Sequence, residues 1–355
     1  MFLGADAFCK AIGSPRSYYC ILTLAPTVFI VSVMAVFRGY FQGFNSTVPT
    51  AISQIVEQIL NAVFSVYLAW ILVKTSVELG AAGGTAGTGI GALAGLVTLV
   101  VIFFTSRKGR MELFAEDKKD YRVETSREIT SNLFKIAIPV ITGTAIFSMT
   151  NLIDMVMVNS RLAAIGTYTA EEIDALYGQL TGKYVTLSTM PVAISTALAT
   201  AVIPSIAGSV VRKEHELVQA KVDTTLRLTM IISIPAAIGL GALGPQILQM
   251  LFPNYSDGGM LIRVGSISVV FLALSQISTG VLQGVGKVNA PAWNALWGSI
   301  AKIPVNYFLI AIPEINIIGA VISTTVCYII ASLLNFRALI KATGVRPDFV
   351  GMLVK

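Results

Sequence analysis

Of the 355 residues, 55% are hydrophobic and only 12% charged, with a formal net charge of +6 and a mean hydropathy of +0.77. This is the profile of a polytopic membrane protein, and it excludes an ordinary soluble enzyme. The positive balance marks topology rather than nucleic acid, because the lysines and arginines collect mostly on one side of the alternating apolar runs.

Windows of about 20 apolar residues, the length that crosses a ~30 Å hydrocarbon core, recur nine times along the chain. They run from Ser17 to Phe37, Thr50 to Val73, Ala81 to Thr105, Leu133 to Val158, Gly182 to Val210, Thr224 to Leu243, Leu261 to Leu282, Ala290 to Ile312 and Ile315 to Ile340. Asp6 and Lys10 interrupt the region where the apolar core of a secretory signal would lie, and the first apolar run leads straight into further spans. Alternating nine spans puts eighteen lysines and arginines on one side, eight of them in the stretch Arg107 to Lys135, and five on the other, which also receives Glu171, Glu172 and Asp174. The first side is therefore expected to be cytoplasmic.

Cys9, Cys20 and Cys327 form no CxxC pattern, and His215 is the single histidine, so neither a disulfide framework nor a metal site is expected. No cofactor is expected either. The longest polar stretch, Arg107 to Asn132, lacks the paired carboxylates, histidine or glycine-rich phosphate loop that chemistry at a membrane face would need. The chain is thus read as a non-enzyme.

An internal repeat shows when "GYFQGFNSTVPTAISQIVEQILN" is laid on "GVLQGVGKVNAPAWNALWGSIAKIPVN". Gly39, Gln42 and Gly43 match Gly280, Gln283 and Gly284, and Pro49 matches Pro291 after a one-residue insertion. The offset of 241 to 242 residues covers six spans, an even number, so the copies are parallel. Parallel six-span repeats imply two lobes related by an axis along the membrane normal, with a cavity between them. The organisation expected is residues 1–106 as the last three helices of a first lobe, 107–132 as a cytoplasmic linker, 133–341 as a second six-helix lobe, and 342–355 as the start of a further helix pair.

Polar residues sit in stripes on several spans. Ser53, Gln54, Glu57, Gln58, Asn61 and Ser65 are linked by steps of three or four. Their repeat partner carries Asn294, Gly298, Lys302 and Asn306 at strict i+4 spacing, and a third stripe is Thr144, Ser148, Asn151 and Asp154. A lipid-facing carboxylate or ammonium is costly by several kcal/mol, so these faces are expected to meet protein or water. Glu57 and Lys302 are expected across the cavity from each other, lining a substrate path and pairing in one conformation; a structural ion pair, or snorkelling of the lysine, is the alternative. Asp154 and Glu57 are candidates for ion coupling; for Asp154 a helix-end acid bonded to neighbouring hydroxyls or amides is the alternative. Arg38, Lys302 and Lys183 form a series of cations at successive depths that suits a diphosphate anion, although Arg38 also fits a plain positive-inside anchor. Arg38, Glu57, Asn61, Lys183, Lys302 and Asn306 are the candidate substrate-path residues.

The runs "VFRGYFQG", "PTAISQIVEQI", "KIAIPV", "NLID", "YGQL" and "GVGKVNAPAWNALWGSIAKIPVNYFLI" resemble the stage V sporulation protein B group of bacterial polysaccharide transporters. That group shares a superfamily with multidrug/oligosaccharidyl-lipid/polysaccharide exporters and lipid II flippases. The resemblance implies an all-α, two-lobed exporter fold of about fourteen spans, of which this chain would lack three in front and two behind. It implies a monomer of the bacterial cytoplasmic membrane that flips undecaprenyl-linked saccharides by alternating access. The partners implied are the lipid-linked saccharide, membrane lipids and a coupling cation, with no nucleic acid. A drug or metabolite:cation antiporter is the nearest alternative; a membrane glycosyltransferase or ligase and a non-transporting scaffold are further ones.

Overall fold

The computed structural model describes residues 4–11, 15–44, 46, 48–106 and 125–344. The chain divides into two compact units, Met1–Val123 and Glu124–Lys355. Most of the expected linker, residues 107–124, and most of the expected C-terminal extension, residues 345–355, lie outside the described residues.

In the first unit, a short helix α1 (Ala5–Ala11) precedes α2 (Tyr18–Gly43), α3 (Val48–Leu72) and α4 (Val77–Thr105). The second unit holds α5 (Ser126–Ile165), α6 (Ala170–Gly178), a π-helical turn Gln179–Val185 and α7 (Thr186–Val211). It continues with α8 (His215–Leu251), α9 (Gly259–Gly284), α10 (Asn289–Ile310) and α11 (Ile318–Thr343). Nine of these helices, among the described residues, have 22 residues or more. They coincide with the nine expected spans. Six of them, α2, α3, α4, α8, α9 and α11, are long and apolar enough to cross a membrane on composition alone. The polar residues of α10, among them Asn294, Lys302 and Asn306, dilute its hydropathy, and its polar face needs to be covered by protein.

Helix ends differ from the apolar windows where capping, not hydrophobicity, sets the boundary. Helix α5 starts seven residues before Leu133, because Thr125 and Glu128 form a capping box: the Thr125 hydroxyl accepts from the Glu128 N–H at 3.3 Å and the Glu128 carboxylate accepts from the Thr125 N–H at 2.9 Å. The last part of the expected linker is thus helical. At its far end α5 stops at Gly166, whose φ of 76° is a left-handed C-cap that a side chain would strain.

The sequence repeat reappears as a packing repeat. In the first unit α2 and α3 both pack on α4, and in the second unit α9 and α10 both pack on α11. Small residues permit these contacts. A Cβ at Gly87 of α4 would sit 2.3 Å from the Ser65 nitrogen of α3, and one at Gly91 would sit 2.6 Å from the Glu57 carbonyl oxygen. In the second unit a Cβ at Gly298 of α10 would come within 2.7 Å of the Cys327 carbonyl oxygen of α11. The glycines at these positions therefore set how closely the backbones approach and which polar side chains meet. The remaining helices of the second unit surround α9, the most buried element, which packs on α7, α8 and α11, while α5 packs on α10.

Candidate functional site

In the second unit the α5 and α10 stripes converge. The Lys302 ammonium, 1% exposed, lies 2.5 Å from one carboxylate oxygen of Asp154, and the Asn306 amide donates to the other oxygen at 2.9 Å. The Ser323 hydroxyl of α11 in turn donates to the Asn306 carbonyl oxygen at 2.5 Å. One turn along, the hydroxyls of Thr150 and Ser299 meet at 2.8 Å. Further along the same seam the Arg161 guanidinium stacks 3.9 Å from the centre of the Tyr307 ring. The i+4 spacing of Gly298, Lys302 and Asn306 puts all three on the buried face of α10, and the three-to-four spacing of Thr150 and Asp154 does the same on α5. The result is a polar seam inside an apolar bundle, with the carboxylate hydrogen-bonded on both oxygens.

The first unit has its own charge cluster. Arg38 of α2 donates to the Glu57 carboxylate at 2.6 Å and to the Ser53 hydroxyl at 3.2 Å. Both charged side chains keep a partial opening, at 19% and 16% exposure. The Asn61 carbonyl oxygen accepts from Ser65 and from Thr88 of α4. The α3 stripe divides: Ser53, Glu57, Asn61 and Ser65 turn inward, whereas Gln54 and Gln58 are exposed.

These contacts place each expected site residue. Lys302, Asn306 and Asp154 form one cluster, and Arg38 and Glu57 another with Asn61 one turn away. In this structure Glu57 is paired with Arg38 and Lys302 with Asp154, each inside its own unit. Lys183 belongs to neither cluster. Its ammonium, in the π turn, binds the carbonyls of Tyr255 and Asp257 at 2.6 and 2.7 Å, clamping the loop that enters α9 through Gly258, where φ is 94°. Thr144 lies outside the described side chains, and Ser148 is exposed. Sequence reasoning passed over Thr150, Ser299 and Ser323. The signal was present for Thr150, four residues before Asp154 and hence on its face, but not for Ser323, whose hydroxyl is one of many in α11. No group of three or more histidine, cysteine or carboxylate side chains is placed to hold a metal among the described residues.

The fold and these buried clusters define a multi-pass helical membrane protein with the architecture of the exporter superfamily. In fold the chain is similar to an inward-facing multidrug resistance MATE family transporter of the MOP superfamily, with a TM-score of 0.72 at 15% identity over 97% of this chain and 77% of that one. The family profile described as "Lipid II flippase MurJ" matches residues 17–348, and the chain belongs to that family. Among curated proteins it is similar to stage V sporulation protein B of Bacillus subtilis (strain 168), at 24% identity over 92% of this chain and 62% of the relative. It is also similar to lipid II flippase MurJ of the same organism, at 26% identity over 92% of this chain and 60% of the relative. The chain thus spans about three fifths of the length of these curated relatives.

Proposed function

We propose that this protein acts in flipping undecaprenyl-diphosphate-linked saccharides across the bacterial cytoplasmic membrane by alternating access, with its two units belonging to the two lobes. The observation that carries this reading is the buried Asp154–Lys302–Asn306 cluster. An ion pair taken out of water adds little net stability, since desolvation offsets most of the attraction. A membrane helix bundle that retains one is therefore read first as functional. Family membership supplies the substrate class. Each unit presents a cation already matched to a carboxylate, Arg38 with Glu57 and Lys302 with Asp154. An arriving diphosphate can exchange with the carboxylate as the cation's partner, and the released carboxylate then takes a coupling cation or a proton. Exchange of this kind links substrate occupancy to the α5–α10 and α2–α3 contacts, which is what alternating access requires.

The same cations disfavour a drug:cation antiporter, whose cationic substrate would meet Arg38 and Lys302 as like charges. Complementation of a flippase-deficient strain tests the proposal. Lys302→Ala is expected to impair growth more than Arg38→Ala at equal membrane abundance. Near mid-membrane a lone cation has few replacements, whereas Arg38 lies toward the expected cytoplasmic side, where basic residues are plentiful. Full complementation by Lys302→Ala would return the cluster to a purely structural role.

A further inference from the structure

The second unit also carries a partly open cavity of about 690 Å³, bounded by α5, α7, α9, α10 and α11. That volume lies within the range of roughly 300–1,000 Å³ typical of small-molecule sites. No charged residue lines it among the described residues. Three neutral polar groups, each from a different helix, reach it without a hydrogen-bond partner among the described residues: the amides of Asn151 and Gln276 and the phenol of Tyr328. The hydroxyls of Thr186, Thr189 and Thr196 also line it. These donate to the carbonyls of Thr181, Val185 and Val192. Their protons are therefore committed, and toward the cavity they offer lone pairs. The wall as a whole presents acceptors from the threonines, and both donors and acceptors from the amides and the phenol, between apolar patches such as Leu272 and Met190.

That inventory selects among ligand chemistries. A diphosphate would need a cation in the wall, and a lipophilic cation would need a carboxylate or an aromatic cage. An isoprenoid tail would leave three polar groups buried and unpaired, which is unfavourable. An uncharged saccharide bearing hydroxyls and N-acyl groups satisfies all of them: its hydroxyls donate to the threonine oxygens, its amide pairs with Asn151 or Gln276, and its apolar ring face covers Leu272 or the Tyr328 ring. We propose that this cavity binds the uncharged sugar portion of the substrate, separately from the charged clusters. This rests on the proposed function for the identity of the substrate, but the cavity's selectivity for sugar stands on its own lining. The Thr150–Ser299 hydroxyl pair, which lines the same cavity, lies within one turn of both Asp154 and Lys302. A sugar that competes for it therefore acts directly on the α5–α10 seam.

The test measures binding to the purified chain in detergent with three probes: undecaprenyl diphosphate, the same lipid carrying a di-N-acetylated disaccharide, and free N,N′-diacetylchitobiose. Gln276→Leu and Asn151→Leu keep side-chain volume but remove the amide. Each is expected to weaken the two sugar-bearing probes about tenfold, the loss of one or two hydrogen bonds, and to leave the bare lipid unchanged. Tyr328→Phe, which deletes one oxygen, replaces either variant if that variant misfolds. Wild-type preference for the sugar-bearing lipid that survives all three substitutions would overturn the cavity assignment while sparing the flippase reading. Gln276-dependent binding of the free disaccharide without binding of either lipid would support the cavity and remove the flippase reading. Failure of the wild type to bind any sugar probe would remove both.

Discussion

At Lys302 the ammonium is almost fully enclosed, and its attraction to Asp154 is set against the cost of taking both charges out of water. The consequence is asymmetric. Lys302→Met or Asp154→Leu alone leaves an unpaired buried charge and is expected to cost about 3–5 kcal/mol. The double variant, with two apolar side chains facing each other, is expected to recover most of that stability and none of the transport. Thermal unfolding midpoints in detergent, read beside complementation, separate the two effects; a double variant as unstable as the summed singles would contradict the account. The Arg38–Glu57 pair is more open to its surroundings, so its substitutions should unfold the protein less.

At the level of elements, close helix approach at glycine is what aligns the polar side chains. Gly87 admits the Ser65 backbone, and Ser65 in turn holds the Asn61 carbonyl. Gly87→Val would force α3 and α4 apart, with an expected cost of about 1–3 kcal/mol or more, and would be seen as lost protection of α3 amides in hydrogen exchange. Unchanged protection would show that the helices tolerate a wider spacing. The capping boxes act differently, because they titrate. At α6 the Thr169 N–H, and next its hydroxyl, hold the Glu172 carboxylate below its ordinary value. A group whose folded value is depressed contributes stability above its unfolded value, about 4.3 for glutamate, and loses it as pH falls through the depressed one. Protection of the first-turn amides of α6 against hydrogen exchange, relative to their intrinsic rate at each pH, is therefore expected to fall below about pH 4, and Glu172→Gln should abolish that dependence.

For the whole molecule, charge asymmetry and helix count together set orientation. The loop before α6 and the loop after α7 are separated by a single membrane-length helix, α7. With Cys9, Cys20 and Cys327 replaced, Glu171→Cys should react with an impermeant thiol reagent added outside intact cells, and Lys213→Cys only after permeabilisation. The opposite pattern would invert the orientation; equal labelling of both would remove α7 as a span. The recurrence of one packing pattern, two helices on a third, in α2–α4 and again in α9–α11 is the structural counterpart of the GxxQG repeat. It also explains why Ser53, Glu57 and Asn61 of α3 and Lys302 and Asn306 of α10 fall on interior faces.

Sequence by itself determined where the long apolar helices of the described residues lie, the repeated GxxQG pattern and which polar residues share a helix face. Each of these follows from local periodicity, and 20 apolar residues or an i+4 spacing have one geometric meaning wherever the helix sits. Partner choice was decided only by the tertiary structure. Lys302 meets Asp154, 148 residues away, because Gly298 lets α10 approach α11 closely and α5 packs on α10 beside the same face. The cavity is likewise invisible in the sequence: Asn151, Gln276 and Tyr328 lie in three separate spans, and only helix packing turns them toward one space.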